Sequence, residues 1–236
     1  MKKSLSRPSL DFPRPLVSVD VVIFTVLEDT LKVLLTRRPE GEEEPFPGLW
    51  CIPGGFVDVD RDATLQDCAA RKLQEKTGYA APYLEQLASW GSATRDPRGW
   101  STSHGYFALI PPPAAKTGDE RSEWSDADAA CHKRLAFDHR EIIGTALERL
   151  RSKVEYTSLP AFLLNEPFTL PELQHVYEVV LARPLDKSAF RRRMLDADFL
   201  QEVGTVPGAF GRGAMGYKVR ERERAAVFPR TFRAIE

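Results

Sequence analysis

The sequence predicts an α/β (α+β) sandwich over roughly the first two-thirds of the chain, followed by a helix-turn-helix with a β-hairpin behind it. Three observations carry this. Up to residue 156, β-branched runs bounded by turns are mixed with two amphipathic helical stripes. After Tyr156 the texture changes, and two further helical stripes are joined by the short turn Arg183-Pro184-Leu185. Residues 204–219 then hold five glycines and the apolar pair Met215 and Tyr217, in the manner of a hairpin. The expected divisions are an arm over 1–15, the sandwich over 16–156, a linker over 157–166 and the C-terminal domain over 167–236.

In chain order, residues 17–26 (VSVDVVIFTV) and 31–36 (LKVLLT) are strand-like, with Glu28-Asp29-Thr30 as the turn between them. Arg37 and Arg38 follow, then an acidic loop, PEGEEEPFPG, expected to be exposed. Gly54 and Gly55 mark a turn, since glycine allows positive φ or a close backbone approach. Residues 64–77 form a helix, with Leu65, Cys68, Ala69 and Leu73 on one side and Gly78 as its stop. Strands are expected over 83–90 and 101–110, the second ended by Pro111-Pro112-Pro113. Asp138 and Glu141 have capping-box spacing before the stripe Ile142, Ile143, Ala146, Leu147 and Leu150. Thr169 and Glu172 repeat that spacing, with proline in the first turn, before Leu173, Val176, Tyr177, Val180 and Leu181.

Composition excludes several classes. The 236 residues carry a net charge of -1, so bulk charge selects no partner. The three cysteines, Cys51, Cys68 and Cys131, are odd in number and lack a CxxC, which argues against a disulfide framework or a cysteine zinc site. The basic N-terminus has no signal-type apolar core, and the longest apolar run, residues 21–27, contains Thr25 and is too short to span a bilayer. A cytoplasmic protein without a membrane partner is expected.

The segment from Gly54 to Gly78 carries the chemistry. Positions i, i+3 and i+4 of a helix share a face, and here they are Lys72, Glu75 and Lys76. Taken alone, they read equally as the wet face of an ordinary amphipathic helix. The order LWCIPGGF … RKLQEKTG resembles the Nudix box, whose glycine, glutamate and Arg-Glu-hydrophobic-x-Glu-Glu-x-Gly helix gathers Mg²⁺ beside a pyrophosphate. Only Glu75 keeps a carboxylate on that face. Counted back from Arg71, the earlier box glutamate falls on Ala63. Two unit charges at ~4 Å interact by roughly 4 kcal/mol at intermediate dielectric, so Lys72 and Lys76 repel a dication and suit phosphate oxygens directly. The resemblance thus implies a pyrophosphate site needing no cofactor and having no confident metal ligand, Glu75 being a weak candidate. Arg71 and Glu75 form an i, i+4 pair that braces the helix.

The loop Arg95-Asp96-Pro97-Arg98-Gly99-Trp100, with Ser101 and His104 after it, reads by itself as a proline-glycine turn with exposed arginines. Beside a Nudix box it resembles the loop that Nudix proteins acting on ADP-ribose turn toward their ligand. The implied effector site comprises Arg37, Arg38, Gly54, Gly55, Phe56, Lys72, Glu75, Lys76, Arg95, Asp96, Arg98, Trp100 and His104.

In the tail, KSAFRRR places Lys187, Arg191, Arg192 and Arg193 at the start of the second helix with no acid among them. Charge alone does not separate DNA binding from a solvated helix or a dimer contact. The stretch FTLPELQHVYEVVLARPLDKSAFRRRM with GRGAMGYKV behind it resembles the winged helix of the Nudix-related regulators of NAD metabolism, the NrtR family. That resemblance implies a homodimeric repressor of NAD biosynthesis or salvage genes, bound to operator DNA through Lys187, Ser188, Arg191, Arg192, Arg193, Arg212 and Lys218, and released by ADP-ribose or a related NAD metabolite. Gly213 stands where that family usually has proline. Two alternatives remain open at this point. One is an active ADP-ribose or nucleotide-sugar pyrophosphatase, with Mg²⁺ held by Asp58, Asp60 or Asp62 and Glu75 in the chemistry. The other is a repressor of the same build that senses a sugar.

Overall fold

The computed structural model describes residues 13–78, 83–113, 121–207, 213–222, 224–229 and 231–232. The first domain is built on strand β1 (Leu16–Leu27), which reaches back to β2 (Thr30–Arg37) through a tight hairpin. Glu28 and Asp29 both take positive φ, 50° and 56°, the backbone that a two-residue hairpin turn demands. Short strands β3 (Trp50–Cys51) and β4 (Gly54–Phe56) follow, then helix α1 (Leu65–Thr77), β5 (Tyr83–Ser92), β6 (Ser101–Leu109), β7 (Ser122–Asp126), the short α2 (Ala127–Ala130) and α3 (His139–Val154). The sheet runs β3-β2-β1-β6-β5, with β4 on β1 and β7 on β2. Among the described strands β1 and β6 alone pair in parallel; their register sets Ser18 opposite Ser103 and Asp20 opposite Gly105.

Strand alternation divides the core. Val19, Val21 and Ile23 meet Cys68, Ala69 and Leu73 of α1 on one face. Val22 and Phe24 belong with Ile142, Ile143, Ala146 and Leu150 of α3 on the other. Thr64 caps α1 reciprocally with Asp67, and Gly78 closes it at φ 73° with its amide on the Gln74 carbonyl.

Several sequence expectations change. Gly54 and Gly55 form a strand rather than a turn, pairing with Asp20 and Val19. The expected linker contains a fully buried 3-10 helix, Leu159–Leu163, inside the same apolar cluster as α3. The Asp138–Glu141 capping box does not form: Asp138 makes no side-chain cap bond, and Glu141 instead accepts from the Trp90 indole at 2.9 Å. The arm over 1–15 lies mostly outside the described residues.

Strand β8 (Phe168–Thr169), helices α4 (Leu170–Leu181) and α5 (Lys187–Asp196), and strands β9 (Leu200–Pro207) and β10 (Gly213–Val219) make the second domain. Its three-stranded sheet is ordered β8-β10-β9. Thr169 and Glu172 do form a capping box, and Asp186 caps α5 through the Ala189 amide at 2.7 Å. The α4 stripe of Leu173, Val176, Tyr177 and Val180 joins the cluster that holds the inner face of α3, so one apolar core runs through both domains. Polar contacts cross as well. Arg151 donates from Nε to the Val180 carbonyl at 3.0 Å, His175 meets Asp29 at 2.7 Å, and Arg183 pairs with Glu155 at 2.8 Å.

Gly54 is sterically obligatory: a Cβ there would lie 2.0 Å from Asp20 Oδ1 and 2.7 Å from the Val19 carbonyl oxygen. Gly54→Ala should lower unfolding stability by about 1–3 kcal/mol, as forcing extra atoms into a packed site does. A urea titration with an unchanged midpoint would contradict this.

Candidate functional site

A cavity of about 270 Å³ opens between β1, β3, β4, the 95–98 loop and the N-terminal end of α3. Its floor is polar although the strands around it are not. Asp20, in the middle of an otherwise apolar strand, receives the Ser103 hydroxyl at 2.5 Å and lies 3.6 Å from His139 Nε2 and 3.8 Å from Arg95. Burial works to raise the Asp20 pKa; His139, the Ser103 hydroxyl and Arg95 outweigh it and hold the carboxyl below its usual range. His139 is the first residue of α3. Burial opposes charging its ring, and Asp20 pulls its pKa upward. Its Nδ1 accepts the Ile52 amide hydrogen at 3.1 Å, which puts the ring's own proton on Nε2, toward Asp20. A second proton on the ring would require that amide bond to break.

Arg95 is buried and grips Asp138 with two bonds, Nε at 2.8 Å and Nη2 at 2.6 Å. Burial alone would lower its pKa, and Asp138 more than restores it. The 95–100 loop therefore does not present Arg95 as an exposed phosphate hand, as its sequence suggests. Arg98 is the exposed partner in that loop. It is paired with Asp96 at 2.8 Å and stacked over the Phe56 ring at 4.9 Å. On the opposite wall Arg38 pairs with Glu44 at 2.6 Å and stacks over Phe137 at 5.1 Å. Phe137 holds a positive φ of 54°, a strained choice for an aromatic residue. The acidic loop is thus folded back and tied down: Arg37 holds the Gly48 carbonyl and Arg38 the Pro45 carbonyl.

Of the residues expected at the effector site, Arg37, Arg38, Gly54, Gly55, Phe56, Lys76, Arg95, Asp96 and Arg98 line this cavity. Lys72 sits just behind it, its Nζ 3.0 Å from where a Cβ of Gly55 would be, and pairs with Glu75 at 3.6 Å. Trp100 is half exposed and packs toward Gly91, away from the lining. His104 lies one residue out of phase with Ser103 on β6 and bonds Ser89 at 2.8 Å, so it too stands apart. Sequence reasoning passed over Asp20, Asp138, His139, Thr36 and Cys51. The one available signal was Asp20 itself, a lone carboxylate inside a β-branched run.

The box has its own correction. The earlier carboxylate is displaced rather than lost: Asp62, next to Ala63, takes both Nε and Nη2 of Arg71, at 2.8 and 2.6 Å. Those bonds, with the Asp58 amide at 2.9 Å, hold its pKa far below the usual range. Asp62 thus braces α1 through Arg71. Glu75 is shared between Arg71 at 3.2 Å and Lys72 at 3.6 Å. Asp58 Oδ1 accepts the Asp60 amide at 3.1 Å within its own loop. Among the described residues, no group of three or more His, Cys, Asp or Glu is placed to hold a metal ion. The donor set at the box does not fit Mg²⁺.

The second surface is α5 with its hairpin. Lys187, Ser188, Arg191 and Arg192 are exposed on it, and Lys218 is exposed on β10. Arg193 is not free for a partner: it lies over Phe232 at 4.1 Å and Phe228 at 5.4 Å, and burial lowers its pKa. Arg212 lies outside the described residues. Among the described residues no helix is long and apolar enough to cross a membrane.

Two family models match the chain: the NUDIX domain over residues 16–148 and the NrtR DNA-binding winged helix domain over residues 160–219. The ADPR responsive transcriptional repressor NtrR of Acinetobacter baylyi is 44% identical over 223 residues, 93% of this chain and 88% of that protein. The crystal structure of Shewanella oneidensis NrtR complexed with a 27mer DNA superposes with a TM-score of 0.84 at 41% identity, covering 92% of this chain and 99% of that one. The Nudix domain of the same protein, in a cocrystal with ADP ribose, gives a TM-score of 0.52 at 41% identity, over 59% of this chain and 90% of that one. The chain belongs to the NrtR family: a Nudix domain followed, in one polypeptide, by an NrtR DNA-binding winged helix.

Proposed function

We propose that this protein is a transcriptional repressor of NAD biosynthesis or salvage genes that binds operator DNA as a homodimer and is released by ADP-ribose or a related NAD metabolite held in its Nudix domain. One observation carries the reading. A cavity lined by Arg37, Arg38, Lys76, Arg95 and Arg98 shares a continuous core with a winged helix that exposes Lys187, Arg191 and Arg192. The cations suit a pyrophosphate. Phe56 and Phe137 supply flat apolar walls.

The same box argues for binding without turnover. Water activation on a pyrophosphate needs a metal or a base beside it. Here Asp62 and Glu75 are held by Arg71, and Lys72 and Lys76 bring positive charge of their own. Lys76 has no ion-pair partner among the described residues, which leaves it free for a phosphate oxygen. The protein would act in the cytoplasm, without a cofactor.

On DNA, the exposed face of α5 enters the major groove, with Ser188 and Arg191 toward base edges and Lys187, Arg192 and Lys218 toward phosphates. A two-fold dimer sets two such helices about one helical turn apart on a palindrome.

The direct test is an electrophoretic shift on the DNA upstream of the protein's own gene and its neighbours. A retarded band that ADP-ribose dissolves is expected; no band on any of these DNAs would refute the repressor reading. Arg192→Ala should weaken DNA binding and reduce the slope of log affinity against log salt by about 1, and Arg191→Ala should weaken it and relax the preference for operator over unrelated DNA. Unchanged affinity in both would mean that α5 is not the reading helix. Incubation of ADP-ribose with the protein and Mg²⁺ or Mn²⁺ should release no AMP. Turnover abolished by Glu75→Gln would instead establish a hydrolase.

A further inference from the structure

Each of the four arginines lining the cavity is already held by a carboxylate of the chain. Arg37 has Glu40 at 3.2 Å, Arg38 has Glu44 at 2.6 Å, Arg98 has Asp96 at 2.8 Å and Arg95 has Asp138 at 2.6 Å. An anionic ligand entering this cavity must compete with them. Three of the four pairs are local, so releasing those carboxylates frees only a short loop. Asp138 is different. It is 43 residues from Arg95 in sequence and is the N-cap residue of α3.

Two features make that position consequential. First, Asp138 spends both carboxylate oxygens on Arg95 and therefore makes no side-chain bond to the amides of the first turn of α3. An N-cap aspartate normally fills that role. Glu141 does not replace it, because the Trp90 indole holds its carboxylate. Second, the 16 residues of α3 run from the cavity, where His139 sits, to the winged helix. At a rise of 1.5 Å per residue that is roughly 24 Å. At the far end Arg151 ties the Val180 carbonyl of α4 and takes Asp128 with its other nitrogens, while Leu150 and Val154 pack in the shared core.

We propose that Asp138 is the positioning residue that couples the cavity to the DNA-binding domain. A ligand phosphate takes over Arg95, which is too deeply buried to reach out and serve both partners. Like charge drives the Asp138 carboxylate off, and it turns to the Arg140 amide, since the His139 and Glu141 amides already donate to the Ala136 and Asp138 carbonyls. The helix shifts, and the Arg151–Val180 contact carries the shift into α4 and its neighbour α5. This deepens the effector reading above and rests on it for the DNA arm.

The test uses the full chain and the substitution Asp138→Asn, which keeps the size and the capping ability but loses the charge that holds Arg95. By calorimetry, affinity for ADP-ribose, and separately for inorganic pyrophosphate, should rise about tenfold, the scale of one bidentate charge-assisted pair. Operator affinity without ligand should fall, and the factor by which ADP-ribose weakens DNA binding should shrink toward one. Glu44→Gln is the control: it also removes a competing carboxylate, that of Arg38, yet should leave that coupling factor at the wild-type value. Asp138→Ser serves if the asparagine variant does not fold. Unchanged or weaker anion binding in the Asp138 variant overturns the competition at Arg95, and equal loss of coupling in both variants overturns the role of α3. Wild-type protein that binds pyrophosphate but not ADP-ribose would place the failure in the effector reading, and the pyrophosphate arm would still decide the Arg95 competition.

Discussion

The structure depends on pairing a small set of buried charges. A carboxylate and a guanidinium taken out of water cost several kcal/mol each unless they find one another with good geometry. Asp20, Arg95, Asp138 and His139 satisfy that requirement jointly, and they come from three places in the chain: mid-β1, the loop ahead of β6, and the start of α3. Meeting it fixes how the helix on one face of the sheet begins, how the 95–98 loop folds, and why β4 must run close enough to Asp20 to demand glycine at 54. The cavity is what this arrangement leaves open.

The second organising fact is that the two domains are not separated by a free tether. Residues 157–163 are buried, with Thr157 accepting the Tyr177 hydroxyl at its carbonyl and Ser158 bonding the returning C-terminal segment at Ala226. Phe228 and Phe232 on that segment cover Arg193 of α5. A perturbation at the cavity therefore meets packed side chains all the way to the reading helix. Packed cores pass on displacement instead of absorbing it.

Much of this was legible in the sequence where the signal is local. The β1–β2 hairpin, helix α1 with its glycine stop, the α4 capping box and the two-helix unit all follow from periodicity and turn chemistry within about ten residues. The failures have one physical character. Arg95 looked like a phosphate ligand because nothing near it in sequence reveals Asp138, 43 residues on. Asp20 and His139 were passed over because their partners Ser103 and Ile52 lie 83 and 87 residues away. Residues 157–166 carry linker composition, yet tertiary packing draws in Leu159, Phe162 and Leu163. In the Arg191–Arg193 run, 100° per residue makes it impossible for all three to share a face, and Arg193 is the one turned inward. The box carboxylate was sought at Ala63 by counting; a loop of different length delivers it from Asp62.

The coupling proposed above joins the Nudix cavity to the DNA-binding surface through one apolar core. Linkage makes this measurable without any mutation, because coupling between two equilibrium sites is reciprocal. The deciding measurement is ADP-ribose affinity determined by calorimetry on the free protein and on the same protein saturated with operator DNA. Weaker ADP-ribose binding on DNA is expected, by the same factor by which ADP-ribose weakens DNA binding. Equal ADP-ribose affinity in the two states would contradict it.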